Sequence, residues 1–142
     1  MNKVGFHSKM KYLRLPARKQ LKDFIIFLFK NENRELHSLN YIFCSDKDLL
    51  KMNIEYLQHD YFTDIITFDL SENEAISGEV YISIDRVKEN AEELNLTFLE
   101  ELHRVIFHGA LHLCGYRDKT RKDQLLMRKK ENEYLNHYFL RQ

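Results

Sequence analysis

The spacing of apolar residues changes along the chain, and each change marks an element. Residues 2–9 (NKVGFHSK) are compatible with a first strand. Pro16 suits the first turn of a helix, where its missing N–H would be unpaired anyway. Leu21, Phe24, Ile25, Phe27, Leu28 and Phe29 then form a helical stripe to about Lys30. Over 37–44 (HSLNYIFC) the period drops to two: Leu39, Tyr41 and Phe43 alternate with Ser38, Asn40 and Ile42, which predicts a strand. Ser45 with Asp48 three residues on opens a second helix, which Leu49, Leu50, Met52 and Ile54 carry to about Tyr56.

Residues 57–63 read as a loop into the β-branched strand 64–68 (DIITF). After a polar connection over 71–77, Glu79 to Ile84 reads as the next strand, and Asp85 is the expected cap of a helix running to about Leu94. Thr97 and Glu100 have the capping-box spacing. They open a helix with Phe98, Leu102, Val105, Ile106 and Leu111 on its apolar side and Gly115 as its stop. Thr120 with Asp123 starts the last helix, whose apolar positions are Leu125, Leu126, Tyr134, Leu135 and Tyr138. The expected fold class is α+β: a small mixed sheet of about four strands with five or so helices packed on it.

Composition adds limits. The 142 residues suit one domain, 1–142, and four glycines and one proline leave no flexible linker. Met1 to Met10 holds no apolar run of signal-peptide length, and no stretch approaches the roughly 18 apolar residues of a membrane span. Cys44 and Cys114 form no disulfide framework and no Cys-x-x-Cys pair, so a reducing, cytoplasmic home is expected. The zero net charge conceals an asymmetry. Residues 1–30 carry eight Lys/Arg against one acid, 31–101 five against seventeen, and 102–142 nine against four. If the basic ends meet, Arg14, Arg18, Lys19, Lys22, Arg121 and Lys122 would attract a phosphate backbone; otherwise they are solvated helix faces.

The chemistry concentrates in HGALHLCGYRD, residues 108–118. His108 and His112 stand one helical turn apart, about 40° around and ~6 Å along, so both imidazoles can reach one ion. Gly109, a poor helix former, implies a close approach beside them by backbone or substrate. Gly115 can fold the chain back so that Asp118 completes the set. The resulting H-x-x-x-H-x-x-G-x-x-D has metzincin spacing with aspartate in the last place. Two histidines and a carboxylate suit one Zn²⁺ with an open position for water, whose pKa zinc lowers from ~16 to about 7. Nickel, iron and cobalt fit the same donors. The competing assignment leaves Asp118 as a turn cap and takes His59 or His137 as third ligand. Cys114 reads as a small buried residue rather than a fourth ligand.

These residues resemble the YbeY family of bacterial metal-dependent endoribonucleases, whose signature is His-Gly-x-Leu-His-Leu-x-Gly-Tyr-x-His. An Asn-x-x-Tyr-Arg stretch with a following Thr-Asp strand is matched by Asn53 to Leu57 and Thr63 to Phe68, and a Gly-Asp-Ile-like strand by Gly78 to Ile82. The likeness runs from about residue 40 to 120. It implies the family's zincin-like α+β fold and a zinc-bound water held by His108, His112 and Asp118. The implied activity is on single-stranded RNA, in maturation of the small-subunit ribosomal RNA 3′ end and in ribosome quality control, with the ribosome or small-subunit assembly factors as partners. Two departures stand out. Asp118 replaces the family's histidine, and Leu57 occupies the place of its basic residue, a role that His59 could take over as cation or proton carrier. Two other functions compete. A zinc metallopeptidase would need a glutamate where Gly109 stands, and a non-enzymatic ribosome-associated module would need a closed structural zinc site.

Overall fold

The computed structural model describes residues 3–11, 13–59 and 63–140, so the expected positions of Asn2 and of 60–62 lie outside it. The chain runs β1 (Val4–Ser8), α1 (Arg18–Asn31), β2 (Leu36–Cys44), α2 (Asp46–Leu57), β3 (Ile65–Asp69), β4 (Ile76–Ser83), α3 (Ile84–Leu94), α4 (Phe98–Leu113) and α5 (Arg121–Leu140). The sheet order is β1-β2-β4-β3. β1, β2 and β4 are parallel, and β3 pairs antiparallel on the β4 edge. The α+β class and the four-strand mixed sheet are as expected.

The period-two pattern of β2 places Leu39, Tyr41 and Phe43 in the main core, and Val80 and Ile82 of β4 join them. Helices α1 and α4 cover this face, with α5 packed on α4. Tyr41 is fully buried, and its hydroxyl donates to the Ile106 carbonyl at 2.8 Å, which offsets the cost of burying it. A smaller cluster of Cys44, Leu49 and Ile66, with Met52, Phe68 and Tyr81, includes residues of α2, β3 and β4.

The structure corrects four of these expectations. Helix α1 begins at Arg18, after a Pro16–Ala17 turn in which Ala17 is left-handed, so Pro16 precedes the first turn rather than occupying it. β4 begins at Ile76, not Glu79, because residues 76–77 pair with β2. Asp85 does not cap α3: the Ser83 hydroxyl accepts from Arg86 N, while Asp85 Oδ2 accepts the Asp46 N–H and so caps α2. On α5 the buried stripe is Met127, Glu131, Tyr134 and Tyr138. Its register turns Leu125 and Leu126 outward, the former to 62 % exposure. The Ser45 cap, the Thr97–Glu100 capping box and the Thr120 bond to Asp123 N form as expected.

His103 of α4 lies buried against Tyr138, Nδ1 on the Leu99 carbonyl and Nε2 without a partner. Burial holds its pKa below the ordinary 6.5, so the folded protein keeps the ring neutral. The unfolded chain takes up a proton near pH 6.5, so stability present above that pH is lost as pH falls towards the folded-state pKa. Urea midpoints measured across this range should fall less steeply for His103→Phe than for the wild type. Parallel profiles would remove His103 as the cause.

Candidate metal centre

Helix α4 places the site because it is buried against the sheet, α1, α3 and α5 at once. His108 and His112 sit on its one open side, with ring centroids 4.7 Å apart. Gly109 makes the close packing possible. A Cβ there would lie 2.9 Å from Val80 Cγ1 and 3.2 Å from Ile65 Cδ1, so the close approach is made by side chains of β3 and β4 rather than by the backbone or substrate expected. After α4, Gly115 at φ +107° reverses the chain. Tyr116 then pins the returning loop by donating to Glu32 Oε1 at 2.7 Å, and the Tyr134 hydroxyl, which accepts from Asn31, donates to Glu32 Oε2. Glu32 stays ionised: burial would raise its pKa, but the two phenols and Lys130 hold it below the usual value.

This turn delivers Asp118 to the histidines. Its Oδ2 lies 3.2 Å from His112 Nε2 and 3.3 Å from His108 Nε2. Donor atoms of the three residues all fall within 4.8 Å of one another. On the far side of the His108 ring, Nδ1 is 2.6 Å from Glu131 Oε2. Burial acts to raise the Glu131 pKa, but His108 and Arg104 hold it below the ordinary value, so it is an ionised acceptor and Nδ1 carries the proton. In neutral His108 the Nε2 lone pair then faces the Asp118 oxygen. Two acceptors in that position repel unless a proton or a metal cation lies between them. The two contacts also match the roughly 3.3–3.4 Å edges of a tetrahedron built on ~2.0–2.1 Å zinc–ligand bonds. The residues present therefore fit a divalent ion of the zinc type.

The neighbours of these three residues were not singled out from the sequence. Arg104 Nε donates to Glu101 Oε1 at 2.7 Å and Nη2 to Glu101 Oε2, while Nη1 reaches Glu131 Oε1 at 3.1 Å. Desolvation opposes its charge, but both carboxylates raise its pKa further above the ordinary value. The available signal was spacing: Glu101, Arg104, His108 and His112 form one polar stripe along α4. A groove of about 690 Å³ runs over the site, lined among others by Leu57, His59, Asp64, Arg104, His108, His112 and Asp118. His59 is thus on the groove wall, and Leu57 stands beside it with no charge to offer. His137 packs edge-on against Phe24 and Phe27 and is not among the groove's lining residues. Burial raises the pKa of Asp64 despite the opposing fields of Arg104 and His108. Cys114 is buried with its thiol pushed up to about 12, chiefly by desolvation, and stays protonated.

Fold and site define a class: α+β proteins whose long helix presents two histidines, one turn apart, to a carboxylate beyond a glycine turn. Comparison with known proteins narrows it. The family model described as Endoribonuclease YbeY matches residues 6–139. A Cytophaga hutchinsonii protein named endoribonuclease YbeY is 50% identical over 134 residues, 94% of each chain. Its Flavobacterium psychrophilum namesake is 51% identical over 112 residues, 79% of this chain and 80% of that one. A solution structure of a Thermotoga maritima protein, 30% identical, superposes with a TM-score of 0.62 over 96% of this chain and 89% of that one. The chain belongs to the YbeY endoribonuclease family.

Because Glu131 fixes the His108 ring and its tautomer, Glu131→Gln should bind zinc roughly 10–100-fold more weakly by calorimetric titration. Wild-type affinity in that variant would show that the contact does not orient a ligand.

Proposed function

We propose that this protein is a metal-dependent endoribonuclease acting on single-stranded RNA, with one zinc-type ion on His108, His112 and Asp118. The observation that carries the ion is the Asp118 oxygen facing two imidazole nitrogens at 3.2 and 3.3 Å, beside a groove of about 690 Å³. Family membership supports RNA as substrate. Ribosomal RNA, its small-subunit 3′ end in particular, and the ribosome in quality control are the finer reading from the same resemblance. No helix among the described residues is long and apolar enough to cross a membrane, and we place the activity in the cytoplasm.

Bound there, such an ion supplies Lewis-acid polarisation of a phosphoryl oxygen and a water acidic enough to react at neutral pH. The chain's own groups do the rest. Glu131 keeps the proton on His108 Nδ1, so Nε2 stays a donor of electrons. Glu101 and Glu131 occupy three of the five N–H groups of Arg104, and its remaining two can bond to phosphate at the groove. With Leu57 uncharged, Arg104 is a fixed cation between helix and groove. His59 and Asp64 line the same groove and can hold or move a proton.

A peptidase reading is less well supported, because position 109, where such enzymes carry their glutamate, faces Val80 and Ile65. A structural zinc usually has four protein ligands, and among the described residues three donors come together here and open on a groove.

Cleavage of single-stranded RNA should stop on chelation and return with zinc, and structured RNA should be cut more slowly. Activity that survives complete chelation would overturn the metal-dependent reading. Among variants, Asp118→Ala should lose zinc as His108→Ala and His112→Ala do, while Asp118→His keeps it. Full zinc binding by Asp118→Ala would reject that assignment. His59→Ala should retain zinc and lose roughly 10²–10⁴-fold in turnover if the histidine moves a proton; undiminished turnover would return it to the surface.

A further inference from the structure

Helix α5 carries a stripe that the metal centre does not use. Arg121, Gln124, Leu125 and Arg128 stand at i, i+3, i+4 and i+7, on one face, and all four are exposed. The stripe continues into Glu131, the residue bonded to His108, so this face starts at the metal centre and runs out towards the N-terminus of α5. The Gln124 side-chain amide donates to the Asp118 carbonyl at 3.0 Å, tying the helix to the ligand loop. Together these residues wall a second groove of about 430 Å³, whose lining also includes Arg104, His108 and Asp118. The first groove is lined by the same three. The two grooves therefore meet at the metal centre.

Their chemistry differs. The first is lined largely by neutral and acidic groups, including Asn53, Thr63, Asp64 and Asp69, with Lys119 and the shared Arg104 as its Lys/Arg cations. The second offers two exposed guanidinium groups with an apolar side chain between them. Arg128 makes only a loose 3.7 Å contact with Glu131 and is half exposed. Guanidinium forks match phosphate oxygens, and a solvent-facing leucine offers a surface on which a base can rest.

We propose that this face of α5 holds the RNA strand on one side of the scissile bond, with Arg121 and Arg128 on backbone phosphates and Leu125 beneath a base. The inference rests on the RNA reading above and adds where the strand runs. It also separates the two basic ends of the chain. Phe24 packs by Tyr138, Phe27 by His137 and Asn31 by Tyr134, so α1 and α5 run antiparallel. Arg18, Lys19 and Lys22 accordingly lie towards the C-terminal end of α5, some ~25 Å along its axis from Arg121. Of the two basic runs, the C-terminal one borders the metal centre.

The test is the salt dependence of binding between zinc-loaded protein and a labelled single-stranded oligoribonucleotide, followed by fluorescence anisotropy with the RNA confirmed intact. Losing two phosphate contacts on a single strand should flatten the slope of log K against log salt by about 1.4 in Arg121→Gln/Arg128→Gln. Each single variant should lose about half of that. Zinc content should not change, and Arg18→Gln/Lys19→Gln should keep the wild-type slope. Leu125→Ser should weaken binding at every salt concentration without altering the slope. An unchanged slope in the Arg121/Arg128 variant, while the wild type binds RNA, overturns this placement and leaves the endonuclease reading standing. So does an equal loss in the α1 variant, which would mean attraction by net charge alone. A wild-type protein that binds no RNA at any salt concentration removes both.

Discussion

The contact between His108 Nδ1 and Glu131 governs much of this molecule. A carboxylate 2 % exposed stays ionised only where cations and donors meet it. His108 meets one Glu131 oxygen and Arg104 the other. Arg104, itself largely buried, in turn needs Glu101 to balance its charge. The chain of charges therefore spans α4 and α5 and admits one register between them. That register places Met127, Tyr134 and Tyr138 in the core with Glu131 and turns the arginines at the start of α5 towards the metal centre.

The same arrangement links folding to ligand binding. Helix α4 packs its apolar sides against the sheet and three helices, and its remaining stripe ends in two imidazoles confronting a carboxylate. A cation bound there would coordinate all three groups, and its binding free energy would add to stability because the unfolded chain has no such cluster. Stability and chemistry are thus drawn from one network, and a change in Glu131 or Arg104 acts on both.

Metal spacing alone does not choose a reaction. Two histidines a turn apart and a ligand beyond a glycine turn serve peptide and phosphate chemistry equally. The surroundings bear on it: an apolar contact where a peptidase needs its glutamate, a buried guanidinium beside the three candidate donors, and a groove on either side of them. Asp118 fits this setting because the loop pinned by Tyr116 and Glu32 brings it within reach from a position the family usually fills with a larger imidazole.

Elements set by short-range chemistry were legible in the sequence. The alternation in β2, the Ser45 cap, the capping box at Thr97, the stop at Gly115 and the i,i+4 histidines each depend on residues a few positions apart, and so does the offset that carries Asp118. The sequence alone thus determined the α+β class and the candidate ligand set. Tertiary structure decided whatever depends on partners distant in the chain. Asp85 caps α2 rather than its own helix because the start of α2, 39 residues earlier, lies against it. Leu125 and Leu126 look like core residues until Glu131, drawn inward by His108 and Arg104, sets the buried face of α5. Gly109 shows as a weak point in a helix, and only the sheet reveals Val80 and Ile65 filling the space. The pattern of a chain reports which side chains prefer burial; which charges are carried inside with them depends on the partners that packing brings together.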